Sequence, residues 1–242
     1  MKNLNVFKWL HSRFSEPTKV IRAEFATRIV EGDEMANREY NTCLSVDKAV
    51  STIDENLKLL VIAQGSDQQS EDSRRTVNYI TSRVKNWFTN NEQELALNDS
   101  ILHYSLSELV KGIKKEIRSF NGNLNSVFSF AISDGEGNAL IYNIGNLACY
   151  IRQEGNDKVF DITAGDPSSY PGMSLDNNNG SFFHYKKVDE IYLVTRHISE
   201  YEIDESIRRN EPVKSRVITL ASSRDYDREQ LDTGCAVLVK KR

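Results

Sequence analysis

The sequence predicts an α+β protein in which two mostly antiparallel sheets pack face to face and helices cover the outside. Three observations lead there. Short runs near the start and throughout the second half alternate apolar and polar residues, the period of half-buried strands. Between them lie two long stretches whose apolar residues recur at helical spacing. The strand-like runs of the second half follow one another across tight turns, and short turns can join only antiparallel neighbours.

The chain opens on a segment, residues 1–19, that differs from the rest. Leu4, Phe7, Leu10 and Phe14 recur at helical spacing with Trp9 alongside, and Lys2, Lys8, Arg13 and Lys19 stand between them. This reads as an amphipathic helix broken at Pro17, docking on a membrane or a partner or packing on its own domain. A secretory signal needs a continuous apolar stretch, which this segment does not have. Residues 20–242 read as one domain without internal repeats.

After Pro17 the period changes to two. Ile21, Ala23, Phe25, Thr27 and Ile29 alternate with polar residues, and a second strand is predicted over 41–46. Residues 57–63 are apolar almost throughout and rich in branched side chains, as in a strand buried on both faces. Val77, Ile80, Val84, Trp87 and Phe88 then form one stripe of a first helix. Leu102, Leu106, Leu109, Val110, Ile113, Ile117 and Phe120 form that of a second, with Asn121-Gly122 as its stop.

Strands are predicted over 126–133 and 138–143, joined by Asp134-Gly135-Glu136-Gly137, a hairpin signal. Further strands are expected over 147–152 and 158–163. Residues 165–181 carry Pro167, Pro171, Gly172 and Asn177-Asn178-Asn179-Gly180 and read as an irregular surface loop. Strands near 182–187 and 190–195, helices near 202–209 and 213–223, and a last strand over 234–239 complete the order.

Composition bounds the function. The chain has 242 residues, enough for a full core, and a net charge of −4 leaves no electrostatic footprint for nucleic acid. No apolar run approaches the roughly 18 residues of a membrane span. Cys43, Cys149 and Cys235 are odd in number and far apart, which argues against disulfides and zinc and for reduced thiols in a cytoplasmic protein. His11, His103, His184 and His197 show no metal-ligand spacing. Nucleophile-elbow, phosphate-loop and dinucleotide signatures do not occur.

Five short segments carry a resemblance. Arg38-Glu39-Tyr40-Asn41-Thr42-Cys43 is similar to an Arg-x-x-Asn-Glu-Asp motif, and the strand ending in Gln64-Gly65 to one ending in Asp-Gly-x-Gly-Gly. Asn143-Ile144-Gly145-Asn146-Leu147 resembles Asn-x-Gly-Asp-Ser, and the strand ending at Arg196 resembles one ending in Ser-Asp-Gly. Asp232-Thr233-Gly234 and the strand after it resemble Asp-Asn-Ile-Thr with its strand. Together these motifs resemble the PP2C (PPM) family of metal-dependent protein serine/threonine phosphatases, over about residues 20–242. That resemblance implies a four-layer αββα sandwich. In the family, aspartates at strand ends hold two magnesium or manganese ions between the sheets, and a metal-bridging water attacks phosphoserine or phosphothreonine.

The same resemblance implies that the metal site is degenerate. Its ligand positions fall on Cys43, or Thr42 if the register slips by one, on Gln64 before Gly65, on Arg196 and on Asp232. Asp232 is then the one clear carboxylate among them. Arg196 brings a permanent positive charge, and unit charges about 4 Å apart interact by roughly 4 kcal/mol at an effective dielectric of 20. We therefore expect Arg196 to pair with Asp232, with no metal cofactor. Arg38 and Arg196 are candidates for holding an anion. The function implied is an inactive pseudophosphatase, a binding or regulatory module for a protein partner such as a kinase or phosphoprotein. The alternative is a divergent, active magnesium- or manganese-dependent phosphatase that rebuilds its site from Asp232, Asp67, Asp166 or Asp189. A third reading keeps only an α+β interaction domain.

Overall fold

The computed structural model describes residues 23–30, 39–50, 55–66, 70–90, 99–120, 124–133, 137–196, 198–222 and 233–240. The amphipathic opening segment lies outside them. Strands β1 (Ala23–Val30), β2 (Glu39–Val50) and β3 (Glu55–Ser66) come first, followed by helices α1 (Ser70–Asn90) and α2 (Asp99–Ser119). Strands β4 (Val127–Ser133), β5 (Ala139–Ile144), β6 (Leu147–Gln153), β7 (Phe160–Asp161), β8 (Ser181–Tyr185) and β9 (Val188–Thr195) follow. Helices α3 (Glu200–Arg208) and α4 (Val213–Ser222) and strand β10 (Thr233–Lys240) complete the order.

Among the described residues two five-stranded sheets result, one ordered β1-β10-β9-β6-β7 and the other β2-β3-β4-β5-β8. Every pairing among the described residues is antiparallel. The predicted sandwich is therefore the observed one, and side-chain alternation shows why it has four layers. In β3, Leu59, Val61 and Ala63 pack against α1 and α2, while Leu60 and Ile62 enter the core between the sheets. In β9, Ile191 and Leu193 enter the same central core, while Tyr192 and Val194 face Ile203 of α3 and Val217 and Leu220 of α4. The middle of a strand covered on both faces favours apolar side chains. Leu59 to Ala63 are accordingly all fully buried, each large side chain contributing about 1.5–3 kcal/mol.

Local chemistry sets the ends of these elements. α3 begins at a capping box, in which Ser199 Oγ accepts from the Glu202 amide and the Glu202 carboxylate accepts from the Ser199 amide. The β5–β6 turn needs glycine at 145, where φ is +89° and a Cβ would meet Val127 Cγ1 at 2.0 Å.

Two expectations change. The strand expected over 158–163 shrinks to Phe160–Asp161, because Asp161 Oδ1 accepts from the Thr163 amide at 2.8 Å and turns the chain. The loop expected over 165–181 contains a 3-10 turn, Pro167–Ser169, capped by Asp166.

Candidate functional site

Arg196 follows the last residue of β9. Because Leu147 pairs with Thr195, the antiparallel register carries Arg196 alongside Asn146 of the β5–β6 turn. Its Nε donates to Asn146 Oδ1 at 3.1 Å. Its Nη1 donates to Asp161 Oδ2 at 2.7 Å, and its Nη2 to the Ser169 carbonyl at 3.4 Å. One planar guanidinium thus ties together the β5–β6 turn, β7 and the 3-10 turn, a geometry that a lysine's point charge could not reproduce.

The partners are themselves held. Asp161 Oδ1 accepts from the amide and hydroxyl of Thr163, so both carboxylate oxygens are engaged. Buried Asn143 donates through Nδ2 to Ser169 Oγ at 2.8 Å and to the Gly145 carbonyl at 3.1 Å. The Gly145 amide donates to the Ser168 carbonyl at 2.9 Å. The Arg196 and Asp161 side chains are 31% and 13% exposed, so the pair is only partly screened by water. Tyr150, whose hydroxyl donates to the Ile198 carbonyl, lies in the same field. Burial and then the Asp161 charge push its phenol up to about 12, against the opposing pull of Arg196.

The other candidate positions are placed as follows. Gln64 is buried near the end of β3, and alternation sets it on the same face as Leu60 and Ile62, towards the space between the sheets. It pairs in register with Asn41 and Val127, and buried Gly65 with Tyr40. Thr42 and Cys43 are in β2 opposite Ala63 and Ile62. Arg38, Asp67, His197 and Asp232 lie outside the described residues.

The structure thus joins two of the altered motif positions, Arg196 and Asn146. The expected partner Asp232 is among the positions not described, and the carboxylate that Arg196 meets is Asp161. Sequence reasoning missed Asp161 and Ser169. The available signal was the Asp161-Ile162-Thr163 pattern, which suits a side-chain-capped turn.

Of the carboxylates of the alternative reading, Asp189 and Asp166 are described, and neither bonds to Arg196. Asp189 is buried near the start of β9, six residues before Thr195 and therefore about 20 Å away along the strand. Asp166 Oδ1 accepts from the Ser168 amide and from the Ser168 and Ser181 hydroxyls. Divalent hard cations need several convergent oxygen ligands. Among the described residues no three of His, Cys, Asp and Glu converge, and a guanidinium and an amide occupy two of the altered positions. The described residues do not fit such an ion.

No protein-family model and no curated protein sequence matches the chain. Solved structures do. A variant of a bacterial serine phosphatase is 16% identical, with a TM-score of 0.67 over 93% of this chain and 100% of that one. The catalytic domain of the serine/threonine phosphatase PstP, in complex with two manganese ions, is 10% identical, with a TM-score of 0.60 over 91% and 99%. RsbX in complex with magnesium is 11% identical, with a TM-score of 0.58 over 91% and 100%. The chain therefore has the PP2C-type phosphatase fold, as its motifs suggested. The expectation of no metal cofactor is corrected by these neighbours, since solved structures of the same fold carry manganese and magnesium.

Proposed function

We propose that this chain is a PP2C-fold pseudophosphatase, a binding or regulatory module in protein signalling that does not hydrolyse phosphoesters. The observation that carries this reading is Arg196, fixed by Asn146, Asp161 and Ser169 at a strand end where the resembling motif has an aspartate. A neutral amide, Gln64, supports it from β3. On this reading Thr42, Cys43, Gln64, Gly65, Arg196 and Asp232 are former metal-site positions with other roles. The partner is a protein, a kinase or a phosphoprotein, and the exposed part of Arg196 favours an anionic group on it. Arg38 is assigned the same preference.

A second reading, a divergent but active phosphatase, is favoured by the manganese and magnesium carried by structural neighbours. Hydrolysis of p-nitrophenyl phosphate by the full chain, with manganese or magnesium chloride in excess, separates the two. We expect the wild-type rate to equal that of buffer with metal alone. Metal-dependent turnover that tracks protein concentration would establish the enzyme instead.

A further inference from the structure

Away from Arg196 the fold forms a half-open cavity of about 350 Å³. One face of α2 (His103, Leu106, Ser107 and Val110) forms one wall, and edge strand β8 (Ser181, Phe182 and Phe183) forms another. Tyr142, Asp166, Asn179 and Gly180 complete the lining. The i, i+3, i+4, i+7 spacing on α2 puts its four side chains on one face.

This space is built into the fold. Gly180 has φ +78°, and a Cβ there would meet the Tyr142 ring at 2.5 Å, so only glycine lets the loop close over that ring. The Tyr142 hydroxyl donates to the Asn179 carbonyl, and Lys114 Nζ donates to the Asn178 carbonyl at 2.6 Å and to Asn179 Oδ1 at 3.1 Å. The loop is therefore anchored from two sides.

The polar chemistry of the lining is one-sided. Aromatic rings of His103, Tyr142 and Phe182 contribute to it, with the His103 and Phe182 rings 4.2 Å apart between centroids. The one carboxylate in the lining is Asp166. Its Oδ1 takes all three of its hydrogen bonds, from neutral donors, while Oδ2 is buried and has no partner among the described residues. A part-buried carboxylate with no cation beside it among the described residues, next to aromatic faces that attract cations, lacks one thing: positive charge on a body apolar enough to fill the space.

We propose that this cavity binds a small organic cation, an ammonium group on an apolar body. Asp166 supplies the opposite charge, the rings of Phe182 and Tyr142 take the apolar body, and Leu106 and Val110 form the floor. The lining residues are separate from those that hold Arg196, so the site does not depend on whether the chain hydrolyses phosphoesters.

The test uses the full chain, with phenethylammonium and its neutral counterpart 2-phenylethanol as probes. Titrations are followed through the methyl NMR signals of Leu106 and Val110. Saturable shifts are expected with the ammonium, and binding of the alcohol should be at least ten-fold weaker. Asp166→Asn keeps a capping acceptor for the 3-10 turn and should bring the two ligands level. Ser107→Trp, on the exposed side of α2, should block both. The proposal is overturned if the ammonium causes no saturable shift, or if the alcohol binds as tightly to the wild type. The latter comparison needs no variant to fold. An ammonium affinity unchanged in folded Asp166→Asn would overturn it equally.

Discussion

Truncating Arg196 removes three hydrogen bonds at once and leaves Asp161, 13% exposed, without its cation. A half-screened ion pair is worth less than a fully buried one, so Arg196→Ala should cost about 1–3 kcal/mol of stability. Arg196→Lys should recover only part of that, since an ammonium cannot serve three acceptors held in one plane. Urea unfolding midpoints of the three proteins measure both effects, and equal midpoints would remove Arg196 from any structural role. Position alone made Arg196 conspicuous in the sequence, because a cation ended a buried strand. Its partner was not legible. Asp161 lies 35 residues away, and only the register of β6 against both β7 and β9 brings the two together. The same limit hid a second cluster, in which buried Glu190 accepts from Arg152 and Arg216, 38 and 26 residues distant.

Turns and strands were more readable, because their causes are local. Strands predicted over 138–143 and 147–152 leave only a short turn between them, and the structure gives the reason glycine is needed there. At Gly145 a Cβ would meet both Val127 Cγ1 at 2.0 Å and the Met173 carbonyl at 2.8 Å, and φ is +89°. Gly155 has a similar φ of +83° but no atom within 4 Å of its would-be Cβ. The pair separates two costs. Gly155→Ala should carry backbone strain alone, about 1–2 kcal/mol, while Gly145→Ala adds overpacking of about 1–3 kcal/mol against the β4 and 173 segments. Chemical denaturation of the two variants tests the difference, and equal losses would mean that Val127 moves aside freely. Element ends were the weak point of the sequence reading. β7 stopped short because an aspartate side chain competed for the backbone, an effect that apolar periodicity does not register.

The four-layer architecture buries tyrosines whose hydroxyls must stay protonated, and this governs the response of the whole molecule to alkali. Tyr150 is pushed up to about 12, chiefly by burial. Tyr142 and Tyr192 are also raised, for the same first reason, with Glu190 adding to it at Tyr192. In the unfolded chain a tyrosine loses its proton near 10, while the folded protein still holds these three protons. The unfolded state therefore binds fewer protons above that value, and stability falls as pH rises. Below pH 10 the contribution is fully present, and for Tyr150 it is lost between pH 10 and about 12. Two units correspond to about 3 kcal/mol as an upper bound for that residue. Urea midpoints should decline through this window, with a late rise in tyrosinate absorbance that coincides with unfolding. Tyr150→Phe removes one of the three titrations and should flatten the decline, at the cost of one hydrogen bond to the Ile198 carbonyl. An unaltered slope in that variant would mean that the alkaline transition is set by Tyr142 and Tyr192, on the outer faces of the two sheets, and not by the phenol beside Arg196.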